Sequence, residues 1–547
     1  MRGLILTAAP VGGGLGELFG DLPSALVPLA GRPVLLSILQ ELAAAGVAEV
    51  TVAVGHRAER VRALCARFAA GTLAIRFVEV SAEASAGGAL HQALQHFEPG
   101  EPVLVHLGDT LVPGLGALLP ATGGAVLVAD APDSGRWCGV RHAADGRVHR
   151  FVERAETGAG GPVAVGVYRI AALPAAWPAL PERPEISDVL LACAPAAQWC
   201  AVAAPRWHDV GHLDRYQMAR KRVLEARAFN TLQFDDFLGT VTKRSRHWHK
   251  LQCEVRWALE LPPTLAPLAP RVLDFVPDGP KTRVTMEYYG YPSAAELWLY
   301  SSLSAPLLGG MVRRLGEVLD RFAAQPRTVT AADCDRLYRV KTEQRVAEAV
   351  KGNAVLARLF DAPALTINGA LQPGWRTLWA RAQALLPALH HPRHAALVHG
   401  DFCLGNILYD IGGGIVRLID ARGDWAAAGG GGGDAKYDVA KLRHSLAGGY
   451  DFIVADLFDL HCDGRSSLQL RHGGEARHQA VAATFDQWIA QRYDLRQVQL
   501  IESLLFISML PLHADRPRRQ LAMFATGLKG LAAAVDALAP SAHAVAA

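Results

Sequence analysis

His399-Gly400-Asp401-Phe402-Cys403-Leu404-Gly405-Asn406, followed by Leu418-Ile419-Asp420-Ala421-Arg422-Gly423, is the stretch on which the reading of this chain turns. Apolar runs at 395–398, 407–409 and 415–419 surround it, so it reads as short buried strands with polar residues at their ends. Moving a phosphoryl group needs a residue that orients or deprotonates the attacking hydroxyl, and oxygen or amide ligands for Mg²⁺. Asp401 suits the first role, and Asn406 and Asp420 suit the second. Cys403 has no base assigned to it and reads as a buried thiol rather than a nucleophile.

The chain around this stretch is long. Its 547 residues exceed one ordinary domain, and 51% hydrophobic against 20% charged residues allows large cores. With 55 basic and 52 acidic residues the net charge is +3, which gives no reason to invoke nucleic acid or an acidic membrane surface. The 8 cysteines are scattered without a C-x-x-C pair, as expected of reduced thiols in a cytoplasmic protein. The opening Met1-Arg2-Gly3-Leu4-Ile5-Leu6 breaks too soon for a signal peptide and reads as a first strand. No apolar stretch approaches the roughly 20 residues of a membrane helix, so no membrane insertion is expected.

In the first half, apolar runs at 4–9, 50–54, 75–80 and 103–107 alternate with helical periodicity at 34–45, 58–68 and 86–96. That alternation predicts parallel βαβ units, with helices on both sheet faces. Gly12, Gly13 and Gly14 follow the first strand, where a glycine-rich turn brings backbone N–H groups close to a phosphate. Asp109 ends the 103–107 strand, and Trp207-His208-Asp209-Val210-Gly211 comes later.

Taken as a set, these residues resemble the sugar-phosphate nucleotidylyltransferases. The glycines sit on that family's L-A-A-G-x-G-T-R-L opening. Leu22-Pro23-Ser24 and Ala30-Gly31-Arg32-Pro33 sit on its P-K and G-x-P turns. Ser85-Ala86-Gly87-Gly88 resembles its nucleotide-side loop, and Phe151-Val152-Glu153-Arg154 and Gly166-Val167-Tyr168 its F-x-E-K-P and G-x-Y motifs. Trp207 to Gly211 with Tyr216 resembles its W-x-D-x-G-x-x-x-x-Y. The resemblance implies a Rossmann-like nucleotidyltransferase domain over 1–225 in which Asp109 and Asp209 hold Mg²⁺. Two departures weaken it as a catalyst. Gly14 stands where the family has an Arg, and Ser24 where it has a Lys, so two cations that face phosphates are missing.

A helix over 213–228 closes this half, and a strand over 237–245 follows. It carries Gly239, Thr240 and Lys243, and a helix over 249–261 carries Glu254. Arg283-Val284-Thr285-Met286-Glu287-Tyr288-Tyr289-Gly290 reads as a further strand ending in a hinge. Helical periodicity fills 294–303, 307–324, 331–359 and 374–389, and the remainder to about 535 also reads as helical. The glycine run 429–433 reads as a mobile loop, and 539–547 as a frayed end.

The H-x-D-x-x-x-x-N…D order resembles the protein-kinase-like small-molecule phosphotransferases, the aminoglycoside and choline kinase relatives. The resemblance implies a two-lobed kinase-like domain over 229–540. In it Lys243 holds ATP phosphates, Glu254 orients Lys243, and Gly239 and Thr240 form a short phosphate cover. Glu287 sits at the adenine hinge, Asp401 faces the acceptor hydroxyl, and Asn406 and Asp420 hold Mg²⁺. Asp438, in Tyr437-Asp438-Val439-Ala440, braces the catalytic loop, and Arg422 pairs with phosphate or with Asp438.

The two resemblances together imply a bifunctional cytoplasmic enzyme. One domain uses ATP and Mg²⁺ to phosphorylate a sugar, polyol or amino alcohol. The other joins that phosphate to a second nucleotide from CTP, UTP, GTP or dTTP, giving a precursor for surface polysaccharide or capsule. Two alternatives stand beside this: a kinase with a non-catalytic nucleotidyltransferase-like domain, and a non-enzymatic scaffold of two relic domains. Neither monomer nor oligomer is selected by the sequence.

Overall fold

The computed structural model describes residues 1–68, 73–131, 135–153, 160–225, 230–425 and 430–539. The chain divides into two compact units, Met1–Leu224 with Tyr300–Ser302, and Glu225–Leu299 with Leu303–Ala547. Arg154, part of Gly429–Gly433, the end of the 213–228 helix and most of the expected frayed end lie outside the described residues.

In the first unit, nine strands among the described residues form one sheet. Arg2–Leu6 lies at its centre, pairing in parallel with Glu49–Val54 on one side and Val103–Leu107 on the other. Ala74–Glu79 extends the parallel half, while Gly161–Ile170 runs antiparallel to Val103–Leu107 and begins the other half. The apolar runs supply the sheet's core, with Leu4, Val105, Val126 and Trp199 almost fully buried. The topology locates the site. The chain leaves Arg2–Leu6 toward one side and Val103–Leu107 lies on the other, so a crevice opens beyond the C-terminal ends of these two strands. Gly12–Gly14 and Asp109 follow those ends. The glycine segment is more than a turn: Gly12 caps a short helix, Gly13–Phe19.

The second unit begins with an antiparallel sheet in the order Asn230–Asp235, Thr240–Ser245, Arg283–Glu287, Val272–Val276. Leu251 and Val255 of the helix Trp248–Leu259 pack on its Val284. A helical portion follows, built around Ala435–Leu446, Leu495–Ser508 and Pro517–Leu538.

Four expectations are corrected here. The region after 435 is not all helix. Phe458–Cys462 and Ser467–His472 form a hairpin, and Ser467–His472 pairs in parallel with Ala364–Ile367 of a second hairpin. The described part of the glycine run is only half a loop: Gly430 and Gly431 form a turn at φ 66° that leads into a strand. Gly432–Asp434 is a buried strand paired with Ala395–Leu397, and a side chain at Gly433 would overlap Val398 and Trp425, so glycine is used for close packing. Among the described residues one helix, Pro517–Leu538, is long and apolar enough to cross a membrane by length and composition. Within this fold it is a core element, with Met523, Phe524, Leu528 and Leu531 buried. Finally, Arg422 pairs with Asp401, not with Asp438.

Candidate active sites

Thr240–Ser245 and Trp248–Leu259 bring two of the expected residues together. Lys243, only 9% exposed, reaches Glu254 at 2.8 and 3.0 Å and also pairs with Asp420. Burial lowers an ammonium's affinity for its proton, but Glu254 and then Asp420 outweigh it, and Lys243 is held well above its ordinary value. Against burial, which raises it, Lys243 and Arg422 hold the Asp420 carboxyl below its ordinary value. Glu254 does further work: its Oε1 also accepts the Asp420 backbone N–H at 3.3 Å. Asp420 sits at φ 59°, a left-handed conformation that a non-glycine residue adopts at a cost. The bond from its N–H to Glu254 is one of the contacts that hold it there.

The 399–406 loop is fixed from below. Asp438, 1% exposed on Ala435–Leu446, accepts the N–H of His399 at 2.5 Å and of Gly400 at 2.9 Å. His399 is fully buried and bonds through Nε2 to the Ile419 carbonyl at 3.1 Å, while its Nδ1 faces the Asp401 N–H at 3.3 Å. A carbonyl only accepts and an N–H only donates, so the ring is the neutral Nε2–H tautomer. Burial pushes its pKa down to about 4, consistent with that form. Gly400 has φ 78°, and a Cβ there would lie 2.7 Å from the Arg422 Cβ, so both conformation and space require glycine.

Asp401 meets two cations. Lys441 lies 2.9 Å from its Oδ1, and Arg422 lies 3.3 Å from its Oδ2. Against burial, Lys441 and then Arg422 hold the Asp401 carboxyl well below the usual carboxylate range. Asn406 donates from Nδ2 to the Asp401 carbonyl at 3.0 Å, so its side-chain oxygen is the atom that could serve as a ligand. Asn406 and Asp420 are tied by the Ile419 N–H to Asn406 carbonyl bond at 3.0 Å. An amide oxygen and a carboxylate form a hard donor set that fits Mg²⁺.

Of the remaining kinase-side candidates, Gly239 turns at φ 63° and accepts the Tyr288 N–H at 2.9 Å. Thr240 pairs with Glu287 in the sheet. Glu287 accepts the Tyr289 hydroxyl at 2.6 Å, so it is engaged locally. Lys441 was not singled out by the sequence reading. Its signal is its place three residues after Asp438, on the same helix face.

The first unit has its own carboxylate pair. A Cβ at Gly211 would lie 2.8 Å from Asp109 Oδ2 and 3.4 Å from Asp209 Oδ1, so both oxygens converge on the space beside this glycine. Burial and then the Asp209 charge push Asp109 up to about 6. A buried and a half-buried carboxylate side by side are a fit environment for a divalent cation. Asp209 also accepts from Trp137 Nε1 at 3.1 Å and lies 2.8 Å from His212 Nδ1, partners that the sequence reading missed. That hydrogen bond raises the His212 pKa against partial burial. Among the described residues no three His, Cys, Asp or Glu side chains cluster closely enough to ligate an ion alone. A cation at either site would therefore complete its shell with water or phosphate oxygens, as Mg²⁺ characteristically does. Gly12 and Gly13 face open space, but a side chain at Gly14 would run into Leu213 Cδ2 at 2.6 Å. Ser24 is buried at 7% exposure.

Comparison with known proteins matches a segment of each half. Residues 11–174 match the profile of the MobA-like NTP transferase domain, and residues 229–420 match that of the phosphotransferase enzyme family. The chain thus carries an NTP transferase domain followed by a kinase-like phosphotransferase domain. Among curated proteins, the bifunctional protein GlmU of Cupriavidus pinatubonensis is 32% identical over 148 residues, which is 26% of this chain and 32% of that protein. The bifunctional protein GlmU of Burkholderia thailandensis is 35% identical over 118 residues, 21% of this chain and 23% of that protein. The chain spans at most about a third of the length of these relatives. Among solved structures, HddC from Yersinia pseudotuberculosis aligns with 41% of this chain and 100% of its own at 19% identity and a TM-score of 0.33.

Proposed function

We propose that this chain is a bifunctional enzyme that phosphorylates a hydroxyl of a sugar, polyol or amino alcohol and then couples the phosphate to a nucleotide. The observation that carries the reading is the convergence of Lys243, Glu254, Asp420, Asn406 and Asp401 around one loop held by Asp438. In the first step Lys243 binds ATP phosphates and Glu254 keeps its ammonium aimed at them. Asp401 accepts a hydrogen bond from the acceptor hydroxyl and orients it. The acceptor oxygen bonds to the γ-phosphorus as the bond to the ADP oxygen breaks, and the hydroxyl proton leaves by way of Asp401. Asn406 and Asp420 would hold Mg²⁺, which would supply positive charge against the phosphates of ATP. Gly239 and Thr240 cover the phosphates, and the backbone after Glu287 receives the adenine.

In the second step Asp109 and Asp209 would hold a divalent cation, which would supply positive charge against the reacting phosphates, and the backbone of Gly12 and Gly13 would face the nucleoside triphosphate. The phosphate oxygen bonds to the α-phosphorus and pyrophosphate leaves. The donor is one of CTP, UTP, GTP or dTTP, and the product is an activated precursor for surface polysaccharide, made in the cytoplasm.

A second reading has a specific observation in its favour. Gly14 stands where the nucleotidylyltransferases have a phosphate-facing Arg, and Leu213 Cδ2 occupies the space a side chain there would need. The first unit would then bind its ligand without turning it over. Incubation with ATP, each second NTP and a panel of sugars, polyols and amino alcohols separates the readings. Phosphorylated and nucleotidylated products with pyrophosphate release support the bifunctional enzyme. Phosphorylated product alone supports the second reading, and neither product sinks both.

A further inference from the structure

We propose that Lys441 is a positioning residue for phosphoryl transfer: the fixed anchor that aims the Asp401 carboxylate at the acceptor hydroxyl, with Arg422 as the exchangeable partner. The inference rests on the phosphotransferase reading of the second unit. Its basis is the inequality of the two cations on one carboxylate. Lys441 touches Oδ1 at 2.9 Å with a side chain 6% exposed, whereas Arg422 touches Oδ2 at 3.3 Å with a side chain 41% exposed. A buried ammonium cannot trade its carboxylate for water, because an unpaired charge in that position is costly. A half-exposed guanidinium at a long distance competes with water and gives way readily.

The helix geometry reinforces the distinction. Lys441 lies one turn after Asp438 on Ala435–Leu446, and Asp438 holds the backbone of His399 and Gly400. One rigid helix therefore fixes both the main chain leading to Asp401 and the carboxylate itself. Among the described residues the Lys441 ammonium also hydrogen-bonds Met509 Sδ at 3.7 Å, a weak acceptor, so Asp401 is its principal partner. Arg422 is covalently linked through Ala421 to Asp420, on the nucleotide side of the loop. When substrates enter, the acceptor hydroxyl takes the place of Arg422 on Oδ2, and the guanidinium is released toward the phosphates.

A double-mutant cycle tests this, read as ADP formed from ATP in a defined mixture of hexoses, polyols and amino alcohols. Lys441→Met is expected to lower kcat about 100-fold while KM for ATP stays within about threefold, and Lys441→Arg to recover most of the loss. Because Lys441 acts through Asp401, the Asp401→Asn/Lys441→Met double variant is expected to be no slower than Asp401→Asn alone. If Lys441→Met alone folds poorly, the double variant, which buries neither charge, is compared directly with Asp401→Asn after both are shown to melt cooperatively, and a double variant markedly slower than Asp401→Asn would overturn the inference. Additive losses, or Lys441→Met turning over like wild type, would overturn the inference. Asp401→Asn turning over like wild type would instead overturn the phosphotransferase reading beneath it.

Discussion

At the scale of single residues, the kinase-like site is a set of charges whose protonation states are fixed by their neighbours. His399 illustrates the consequence. Its ring stays neutral in the fold, with a pKa pushed down to about 4 from an ordinary value of 6.5. The unfolded chain therefore takes up a proton first as pH falls below 6.5, so His399 makes folding less favourable as pH falls from 6.5 to 4. The full window corresponds to about 3 kcal/mol. His399→Asn is expected to remove this component. Calorimetry of the second unit's transition should show the variant losing less stability than wild type between pH 7 and pH 4.5, and parallel curves would contradict the buried neutral ring. The spacing of Asp401, Asn406 and Asp420 was legible in sequence because all three lie in one short stretch. Lys441 was not, because its meeting with Asp401 depends on how a later helix docks. Trp137 escaped for the same reason, since it lies 72 residues before Asp209, whereas His212, three residues after Asp209, was within local reach and was overlooked.

At the scale of elements, the four parallel strands of the first unit were readable because apolar runs alternate there with helical periodicity, whereas the strands of its other half, Gly124–Ala131, Gly139–His142, Val148–Val152, Gly161–Ile170 and Trp199–Ala203, were not anticipated, and most of their pairings are antiparallel. The two small hairpins of the second unit were missed although each carries a turn signal. Asn368-Gly369 joins Ala364–Ile367 to Ala370–Pro373, and Asn368 has φ 52° and Gly369 φ 81°, as a tight hairpin turn demands. Asp463-Gly464 marks the turn of the second hairpin. Helical periodicity in the surrounding sequence outweighed these dipeptides. The strand Gly432–Asp434 was hidden more deeply, since glycines signal loops unless the packing around them is known. That packing yields a prediction. Gly433→Ala forces a methyl group into Val398 and Trp425, whose ring carbon Cδ2 would lie 2.9 Å away. A loss of about 1–3 kcal/mol is expected from such overpacking. The strand also leads into Asp434, the cap of the helix that carries Asp438 and Lys441, so phosphotransfer should fall along with thermal stability. A variant that melts and turns over like wild type would mean that Gly433 is not tightly packed.

At the scale of the whole molecule, two sites of similar logic stand on two different folds. Each pairs oxygen ligands suited to a divalent cation with a loop at the end of strands. They differ in their cations: the second unit has Lys243, Lys441 and Arg422 at its carboxylates, while the first has glycine and serine at the two positions where its resemblance leads one to look for Arg and Lys. The phosphotransfer half of the proposal is therefore the better supported. Because the sites use separate residues, Asp109→Asn should stop nucleotidyl transfer and leave phosphorylated product to accumulate, a separation that product mass spectrometry resolves. The most direct measurement of the central claim is transfer of the γ-phosphate of isotopically labelled ATP to a hydroxyl compound by wild type and by Asp401→Asn. The account predicts a labelled phosphomonoester from wild type and at least about a 100-fold slower appearance from the variant. Equal rates of label transfer by the two proteins would contradict it.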